Sequence, residues 1–490
     1  MKPGRFFLIG AIGVFCLTAC APGVMPSPLM STPTQVSSML SPSPFPTQTS
    51  LPTATSTLPV ATRIPVWGIV MEQIAPGDRL NQVAQAGTYW VRSYSAVSWA
   101  DVEPAEGMRN WNALTGLDEE LRNITGKGMQ TILNVRAAPS WAQEVAGYSC
   151  GPIKPEKLRA FASFVHGLVA RYSVTPYNVK YWEIWNEPDI DYHLVEPTSA
   201  WGCWGDQSDP YYGGGYYAEM LKVVYPQIKA ADPQAQVLVG GLLLDCDPRP
   251  GAGCDTLGKS NLPPKFLEGV LLNNGGSFFD GVSFHAYDGY QGQLGQYGNP
   301  NWESAWNTTG PVSGAKLAYL RNLLTQYGQP DKFLMNTEIA LICGRSGKEP
   351  ACQTDDFANT KAYYIAQSFT TALAEGLRAN LWFSLFGWRA SGLLNPDDQT
   401  PLPAFEVFRF ATQELGSARF LQQLKLYPGV LGYEFEREGQ RIWVLWSLDG
   451  ADHDISLAAS PRAVFDVFGI SLPTSERFLI TLKPIYVEWQ

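Results

Sequence analysis

Two glutamates hold comparable positions in the chain, each at the end of a run of apolar and aromatic residues. Glu187 ends the segment KYWEIWNE, and Glu338 ends the segment KFLMNTE. A solvated strand end would explain either residue alone. If both runs are buried strands that open on one face, the two carboxyl groups can meet there. One could then protonate a departing oxygen while the other attacks the anomeric carbon, which is the chemistry of glycosidic bond cleavage.

The residue after the first glutamate bears on how its side chain is held. Pro188 disfavours the helical conformation of the residue before it. We therefore expect an extended backbone at Glu187, with the side chain projecting from the end of the strand.

The elements that must position these glutamates alternate along the chain. Continuous apolar runs, typical of strands buried on both faces, are separated by amphipathic helical stretches. Eight such strands predict an α/β fold, a (β/α)8 TIM barrel, over residues 63–417. The predicted strands begin at Val66, Thr88, Met129, Lys180, Gln236, Phe279, Lys332 and Ala379.

Segments that leave the predicted strands are longer than those that enter them. The long ones are residues 136–155, 188–211, 242–263 and 288–312. Barrel enzymes build their sites from the loops at the C-terminal ends of the strands, here called exit loops. The sequence therefore predicts a cleft on that face.

The chain changes character on both sides of the predicted barrel. Period-two runs with turns predict a small antiparallel β-domain over residues 418–490. Residues 1–20 combine basic residues, a short apolar run and the segment LTAC, which resembles the lipobox of bacterial lipoproteins. We expect a signal peptide with lipidation at Cys20; a plain signal peptide with an incidental cysteine is the alternative.

Residues 21–62 are rich in Ser, Thr and Pro and nearly free of charge, which predicts an extended linker. The body of the protein is then expected outside the cytoplasm. It would be lipid-anchored to a bacterial membrane surface or secreted, and the anchor would be its one membrane contact.

Six further cysteines fall in the predicted exit loops. An even number in an exported chain indicates disulfides. Proximity in sequence predicts pairing within single loops, and the remaining pair would join two loops. The expected pairs are Cys246–Cys254, Cys343–Cys352 and Cys150–Cys203.

Several of these segments resemble clan A glycoside hydrolases. WEIWNEPD is similar to the acid/base strand of that clan, and NTE at residues 336–338 matches its nucleophile position. SFHAY at residues 283–287 resembles the His-x-Tyr segment of strand six, and VRSYSAVSWADVEPAEG resembles strand two and its exit loop in families 39 and 5. The resemblance spans the barrel, and the C-terminal domain is similar to that of family 39 enzymes.

The resemblance implies a role for each matching residue. Glu187 would be the general acid/base and Glu338 the nucleophile. Asn186 would bind the sugar 2-hydroxyl, and Tyr287 would donate a hydrogen bond to Glu338. His285 would position the sugar or Tyr287, or it would be a hydrogen-bonded histidine of the core.

The remaining candidates for substrate binding are a buried cation and several tryptophans. Arg92 lies inside the second predicted strand, where an unpaired charge would be costly, so we expect it to hold Glu338 or to form a structural ion pair elsewhere. Trp382 is predicted to form the floor under a sugar ring, with Trp388 as the alternative. Weaker candidates for stacking lie on exit loops: Trp141, Trp201, Trp204 and Trp302.

At two positions the sequence departs from the patterns of families 5 and 39, so it does not decide between families or substrates. The third strand ends with Asn134 and Arg136, where many family 5 enzymes carry a histidine. The segment TEIAL also lacks the tryptophan that often follows the nucleophile in family 39.

Composition narrows the class of protein. The chain has 490 residues, 45% hydrophobic and 16% charged, which suits a large core. A net charge of −10 without a basic run argues against nucleic acid as a partner. With four histidines and no CxxC pair, no metal site is predicted, and two carboxylates need no cofactor.

We therefore expect a retaining β-glycosidase, such as a β-xylosidase or β-glucosidase, acting on polysaccharides or oligosaccharides. An α-L-arabinofuranosidase or endo-glucanase of the same clan is the first alternative. A non-catalytic sugar-binding lipoprotein is the second.

Overall fold

The computed structural model describes residues 64–71, 78–93, 97–197, 199, 201–250, 262–302, 304–305 and 310–489. Cys20, the predicted linker and Cys254 lie outside this part of the chain. Over the ranges described, none of the helices combines the length and the apolar character that crossing a bilayer requires.

Eight parallel strands, labelled β1 to β8 in chain order, form a closed barrel. β8 pairs with β1, and β6 pairs with β7, which closes the ring. All eight predicted strands are confirmed, with bounds shifted by a few residues. The strands are Trp67–Met71, Trp90–Ser93, Gln130–Arg136, Tyr181–Asn186, Gln236–Leu242, Gly281–Tyr290, Phe333–Ile342 and Ala379–Phe383.

A helix follows each barrel strand and covers its outer face, so that strands such as β1 and β8 are buried along their whole length. Trp67 of β1, for example, stacks on Phe369 of the helix that follows β7, with ring centroids 4.9 Å apart. The helices α1 to α8 are Asp78–Gln85, Thr115–Gly126, Leu158–Tyr172, Gly214–Ala231, Phe266–Leu272, Val312–Gln326, Asp355–Ala374 and Pro403–Leu415. A short helix, Trp99–Val102, precedes α2.

The predicted C-terminal β-domain is confirmed as antiparallel sheet. Its strands β9 to β16 are Arg419–Leu424, Val430–Arg437, Gln440–Ser447, His453–Ser456, Ala463–Asp466, Ser471–Leu472, Arg477–Ile480 and Ile485–Glu488. Six form one sheet in the order β9-β10-β11-β16-β13-β14, and β12 pairs with β15.

The sheet packs against the last barrel helix. Phe410 of α8 meets Tyr486 of β16 edge-on, with ring centroids 5.2 Å apart. Arg437 of β10 donates to the backbone carbonyl of Glu414 at 2.5 Å. The sheet therefore extends the core of the barrel at α8.

Two disulfides stiffen the exit loops, and both were predicted. Cys150 and Cys203, with Cα atoms 5.1 Å apart, join the loops that follow β3 and β4. Cys343 and Cys352, 5.6 Å apart, close the loop that follows β7. Since Cys254 lies outside the described residues, the pair Cys246–Cys254 stays a prediction.

Candidate active site

A cavity of about 1050 Å³ opens at the C-terminal ends of the barrel strands, on the face predicted from the exit loops. Side chains from β2, β3, β4, β6 and β7 line its floor. Those that could act on a ligand are Arg92, Asn134, Asn186, Glu187, Tyr287 and Glu338.

Glu187 is the residue that follows β4, as predicted, but its backbone is not extended. Its φ is 43°, in the left-handed region, so the expectation drawn from Pro188 is wrong. The chain must turn sharply here, and hydrogen bonds hold the strained residue. The N–H of Glu187 donates to the carbonyl of Gly241 on β5 at 2.9 Å. The Asp189 carboxylate accepts two backbone N–H groups that follow β5, at 2.9 and 2.8 Å.

Glu338 lies within β7, and the expectation that it ends the strand is wrong. The strand continues to Ile342, because its outer part still pairs with β6. Instead, the pairing register of β7 shifts between Asn336 and Glu338. Such a bulge re-aims a side chain without ending the strand, which explains how Glu338 lines the cavity from the middle of a strand.

The two glutamates meet across the barrel mouth, with His285 of β6 between them. One oxygen of each carboxylate and a ring nitrogen of His285 lie within 4.8 Å of one another. Retaining glycosidases hold their carboxyl groups about 5–5.5 Å apart, whereas inverting enzymes need about 6.5–9.5 Å. An approach of the carboxylate oxygens to within 4.8 Å is consistent with the shorter of these two spacings.

Arg92 of β2 binds three side chains at once. Its Nε donates to Glu183 at 2.8 Å, and its two terminal nitrogens donate to Glu338 and Asn186 at 2.6 Å each. Burial alone would lower the pKa of Arg92, but the carboxylates of Glu183 and Glu338 outweigh burial and raise it. The structure therefore shows the predicted contact of Arg92 with Glu338, together with a buried ion pair between Arg92 and Glu183.

Glu183, in the middle of β4, is a site residue that the sequence analysis missed. It is fully buried, and besides Arg92 it binds the Thr337 hydroxyl at 2.8 Å and the Asn134 amide at 2.9 Å. Burial acts to raise its pKa, but the charges of Arg92 and His285, together with its hydrogen bonds, outweigh burial and lower it. The signal was present, because an acidic residue inside an apolar strand needs a buried partner.

His285 is fully buried and binds the glutamates. Its Nδ1 lies 2.8 Å from Glu187 Oε1 and 3.5 Å from Glu338 Oε2. Burial acts to lower the pKa of His285, but the two carboxylates raise it overall. Gly241 of β5 makes room for the ring, since a Cβ at that position would lie 2.2 Å from Nε2. Of the predicted roles, the hydrogen-bonded buried histidine fits best.

Tyr287 and Asn186 complete the predicted set around the glutamates. The Tyr287 hydroxyl donates to Glu338 Oε2, and burial raises the pKa of Tyr287 well above its usual value, so it stays a donor. The Oδ1 of Asn186 accepts from Arg92, which leaves its Nδ2 as a donor toward a ligand in the cavity.

The aromatic residues divide between core and cavity. Trp382 is fully buried and donates to the carbonyl of Ser391 at 2.9 Å, so its expected place under a sugar is corrected to the core. Trp388, the alternative, lines the cavity with 47% of its surface exposed and packs edge-on to Tyr287. Phe383, at the end of β8, also lines the cavity and was missed.

Only one of the four weaker tryptophan candidates lines the cavity. Trp201 does so with 51% of its surface exposed. Trp204 is fully buried, and the indole nitrogens of Trp141 and Trp302 donate to backbone carbonyls of Glu103 and Leu244.

Asp189, which follows β4, and Lys316 of α6 also line the cavity. Burial raises the pKa of Asp189 to about 6. Burial also lowers the pKa of Lys316, whose ammonium donates to the backbone carbonyls of Leu243 and His285 at 2.6 and 2.9 Å.

The types of side chain at the centre could in principle hold a metal ion. Within the described ranges, Glu187, His285 and Glu338 form the group of metal-ligating type. The guanidinium of Arg92, 2.6 Å from Glu338, would repel a dication there. The arrangement therefore favours acid–base and nucleophilic chemistry by the carboxylates.

Comparison with known proteins establishes the fold. No protein-family model and no curated protein sequence matches the chain. Among solved structures, the chain is similar to a family 39 glycoside hydrolase from Bacteroides cellulosilyticus WH2, with TM-score 0.64 and 18% identity over 88% of this chain and 81% of that one.

Two further structures share the fold. A GH30 endoxylanase from Clostridium papyrosolvens C71 matches with TM-score 0.56 and 12% identity, over 88% of this chain and 97% of that one. An α-L-arabinofuranosidase from Thermotoga maritima matches with TM-score 0.54 and 13% identity, over 87% and 96%. The architecture predicted from the sequence is thus found in known glycoside hydrolases.

Proposed function

We propose that this protein is a retaining glycoside hydrolase that cleaves O-glycosidic bonds by double displacement. The observation that carries the proposal is the placement of Glu187 and Glu338, with carboxylate oxygens within 4.8 Å, in a cavity at the C-terminal face of a barrel. The likeness of fold to glycoside hydrolases is consistent with it.

In the first step, Glu338 attacks the anomeric carbon while Glu187 gives its proton to the departing glycosidic oxygen. The bond from carbon to that oxygen breaks as the bond to Glu338 forms. In the second step Glu187, now a base, takes a proton from water, and the water oxygen displaces Glu338. Arg92 and Tyr287 hold Glu338 aligned for attack.

The donors around the cavity suit the sugar in this scheme. Asn186 Nδ2 can bind the 2-hydroxyl, whose hydrogen bond strengthens in the transition state. Trp388 and Trp201 offer exposed aromatic faces at the cavity. The substrate class is therefore a polysaccharide or oligosaccharide, with a β-xylosidase or β-glucosidase as the first candidates and an arabinofuranosidase or endo-glucanase as alternatives.

The location outside the cytoplasm belongs to the same proposal. Two disulfides in exit loops support an oxidising compartment. Lipidation at Cys20 would attach the enzyme to a membrane surface through residues 21–62.

The test is hydrolysis of a panel of aryl glycosides and polysaccharides, with NMR detection of the anomer first released. We expect turnover with net retention, and loss of turnover in Glu338→Ala. Binding of oligosaccharides without hydrolysis would support the sugar-binding lipoprotein instead. Release of the inverted anomer would exclude Glu338 as nucleophile.

A further inference from the structure

Glu183 has no surface in the cavity, yet it is a direct partner of the arginine that holds Glu338. It is fully buried on β4 and is absent from the cavity lining. Arg92 donates to Glu183 and Glu338 through different nitrogens, at 2.8 and 2.6 Å. One guanidinium thus lies between two carboxylates, of which one faces the ligand.

The surroundings of Glu183 favour its ionised form. The Thr337 hydroxyl donates to Oε1 at 2.8 Å, and the Asn134 amide donates to Oε2 at 2.9 Å. With Arg92, these donors come from β2, β3 and β7 and fix the carboxylate in one position. The titratable and charged groups around it are Arg92, His285, Glu338 and Tyr217, and Glu187 is in contact with His285.

We propose that Glu183 is a positioning residue that takes part of the positive charge of Arg92 and so keeps Glu338 reactive as a nucleophile. This inference rests on the proposed glycosidase function. An arginine facing one carboxylate neutralises it strongly in a buried site. An arginine shared by two carboxylates holds each in place while neutralising each less.

The two steps of double displacement should respond differently when the charge of Arg92 is no longer shared between Glu183 and Glu338. In Glu183→Gln, Arg92 would keep Glu338 as its one carboxylate partner among the residues that the structure describes. Glu338 would then attack more slowly, because its negative charge is better stabilised. For the same reason Glu338 would be displaced from the glycosyl-enzyme at least as readily as in the wild type.

Kinetics with two leaving groups separate these steps. With a poor leaving group, where attack limits the rate, Glu183→Gln should lower kcat/KM about 10- to 100-fold. With a dinitrophenyl glycoside, where hydrolysis of the intermediate limits kcat, we expect kcat to change by about twofold or less. A merely structural defect would lower both rates together.

A second measurement needs no turnover. Glu183 also interacts with His285, so removing its charge should lower the pKa of His285. The chain has four histidines, so ¹⁵N imidazole signals can be assigned by replacing the other three.

Glu434→Gln is a matched control. Glu434 is a fully buried carboxylate in β10 that pairs with Arg441 and accepts from Trp443 at 3.0 Å and Gln422 at 2.6 Å. It lies in the C-terminal sheet, so Glu434→Gln should leave the titration of His285 and both kinetic steps unchanged.

The outcomes are distinct for the two proposals. If the wild-type protein hydrolyses no glycoside, the proposed function fails, and the titration of His285 still tests the charge sharing. Equal losses in both steps, or an unchanged titration of His285, would overturn the role of Glu183. If Glu183→Gln does not fold, Glu183→Asp, which draws the charge back from Arg92, should give smaller shifts in the same direction.

Discussion

Glu187 and His285 share a hydrogen bond of 2.8 Å between Oε1 and Nδ1, which joins the end of β4 to the middle of β6. The proposed acid is therefore fixed by a side chain of another strand, although its own backbone lies in a turn. Fixed geometry matters because a proton donor must lie within hydrogen-bond reach of the departing oxygen.

Replacement of each glutamate should give a different kinetic pattern. Glu338→Ala should abolish turnover with every substrate, since no other group can form the glycosyl-enzyme. Glu187→Ala should be far less damaging when the leaving group is already good, because protonation then contributes little to the first step. Steady-state kinetics over a series of aryl glycosides measure both effects.

Azide provides the control for this assignment. In Glu187→Ala, azide should attack the intermediate and give a glycosyl azide of retained configuration, whereas Glu338→Ala should gain nothing of that kind. If both variants respond alike to the leaving group and to azide, the assignment of acid and nucleophile is wrong.

Asp189 should make stability depend on pH. Its folded pKa, raised to about 6 by burial, exceeds the value of about 3.9 in an unfolded chain, so the folded state disfavours its ionisation. The contribution of Asp189 to the free energy of unfolding is therefore fully present below about pH 4 and is lost as the pH rises through about 6. The loss amounts to roughly 3 kcal/mol at most.

The measurement is urea unfolding of wild type and Asp189→Asn between pH 4 and 7. Asparagine does not titrate, so the free energy of unfolding of wild type should fall relative to the variant over that window. A constant difference from pH 4 to 7 would contradict the prediction.

Trp388 and Trp382 should have separable effects. Trp388→Ala removes an exposed ring at the cavity and should raise KM roughly tenfold with little change in Tm. Trp382→Ala empties a core position and should cost about 3–5 kcal/mol of unfolding free energy. Kinetics and thermal unfolding of both variants test the pair. A raised KM in Trp382→Ala with a loss of stability in Trp388→Ala would instead indicate that Trp382 binds the ligand.

The two confirmed disulfides should differ in their contribution to stability. Cys150–Cys203 spans 53 residues and Cys343–Cys352 spans 9. In the chain-entropy account, removing the first as a double alanine variant should cost about 4 kcal/mol, and removing the second about 3 kcal/mol. Guanidinium unfolding measures both, and a larger loss from the shorter loop would reject that account.

The sequence predicts the barrel well because its strands are continuous apolar runs that alternate with amphipathic helical stretches. It also predicts that Glu187 and Glu338 meet, since strand ends on one face lie together. The contact of Tyr287 with Glu338 was expected from the resemblance to clan A enzymes. What it could not predict depends on tertiary packing. The left-handed backbone of Glu187 overrides the local preference set by Pro188 and is held by contacts with β5.

The other misses have the same origin. The bulge before Glu338 depends on pairing with β6, and no local signal marks it. Trp382 and Trp388 lie six positions apart, and only the path of the exit loop decides which one reaches the cavity. Glu183 was detectable by its charge, but its partner Arg92 lies on another strand.

Gly241 has no side chain, and the space that a side chain would fill is taken by the ring of His285. A methyl group there would occupy the space of the imidazole of His285, whose position ties the two glutamates together. A related chain could keep every reactive group and still be inactive through one small substitution at this position. A search for working relatives should therefore require a glycine here as strictly as it requires the two glutamates.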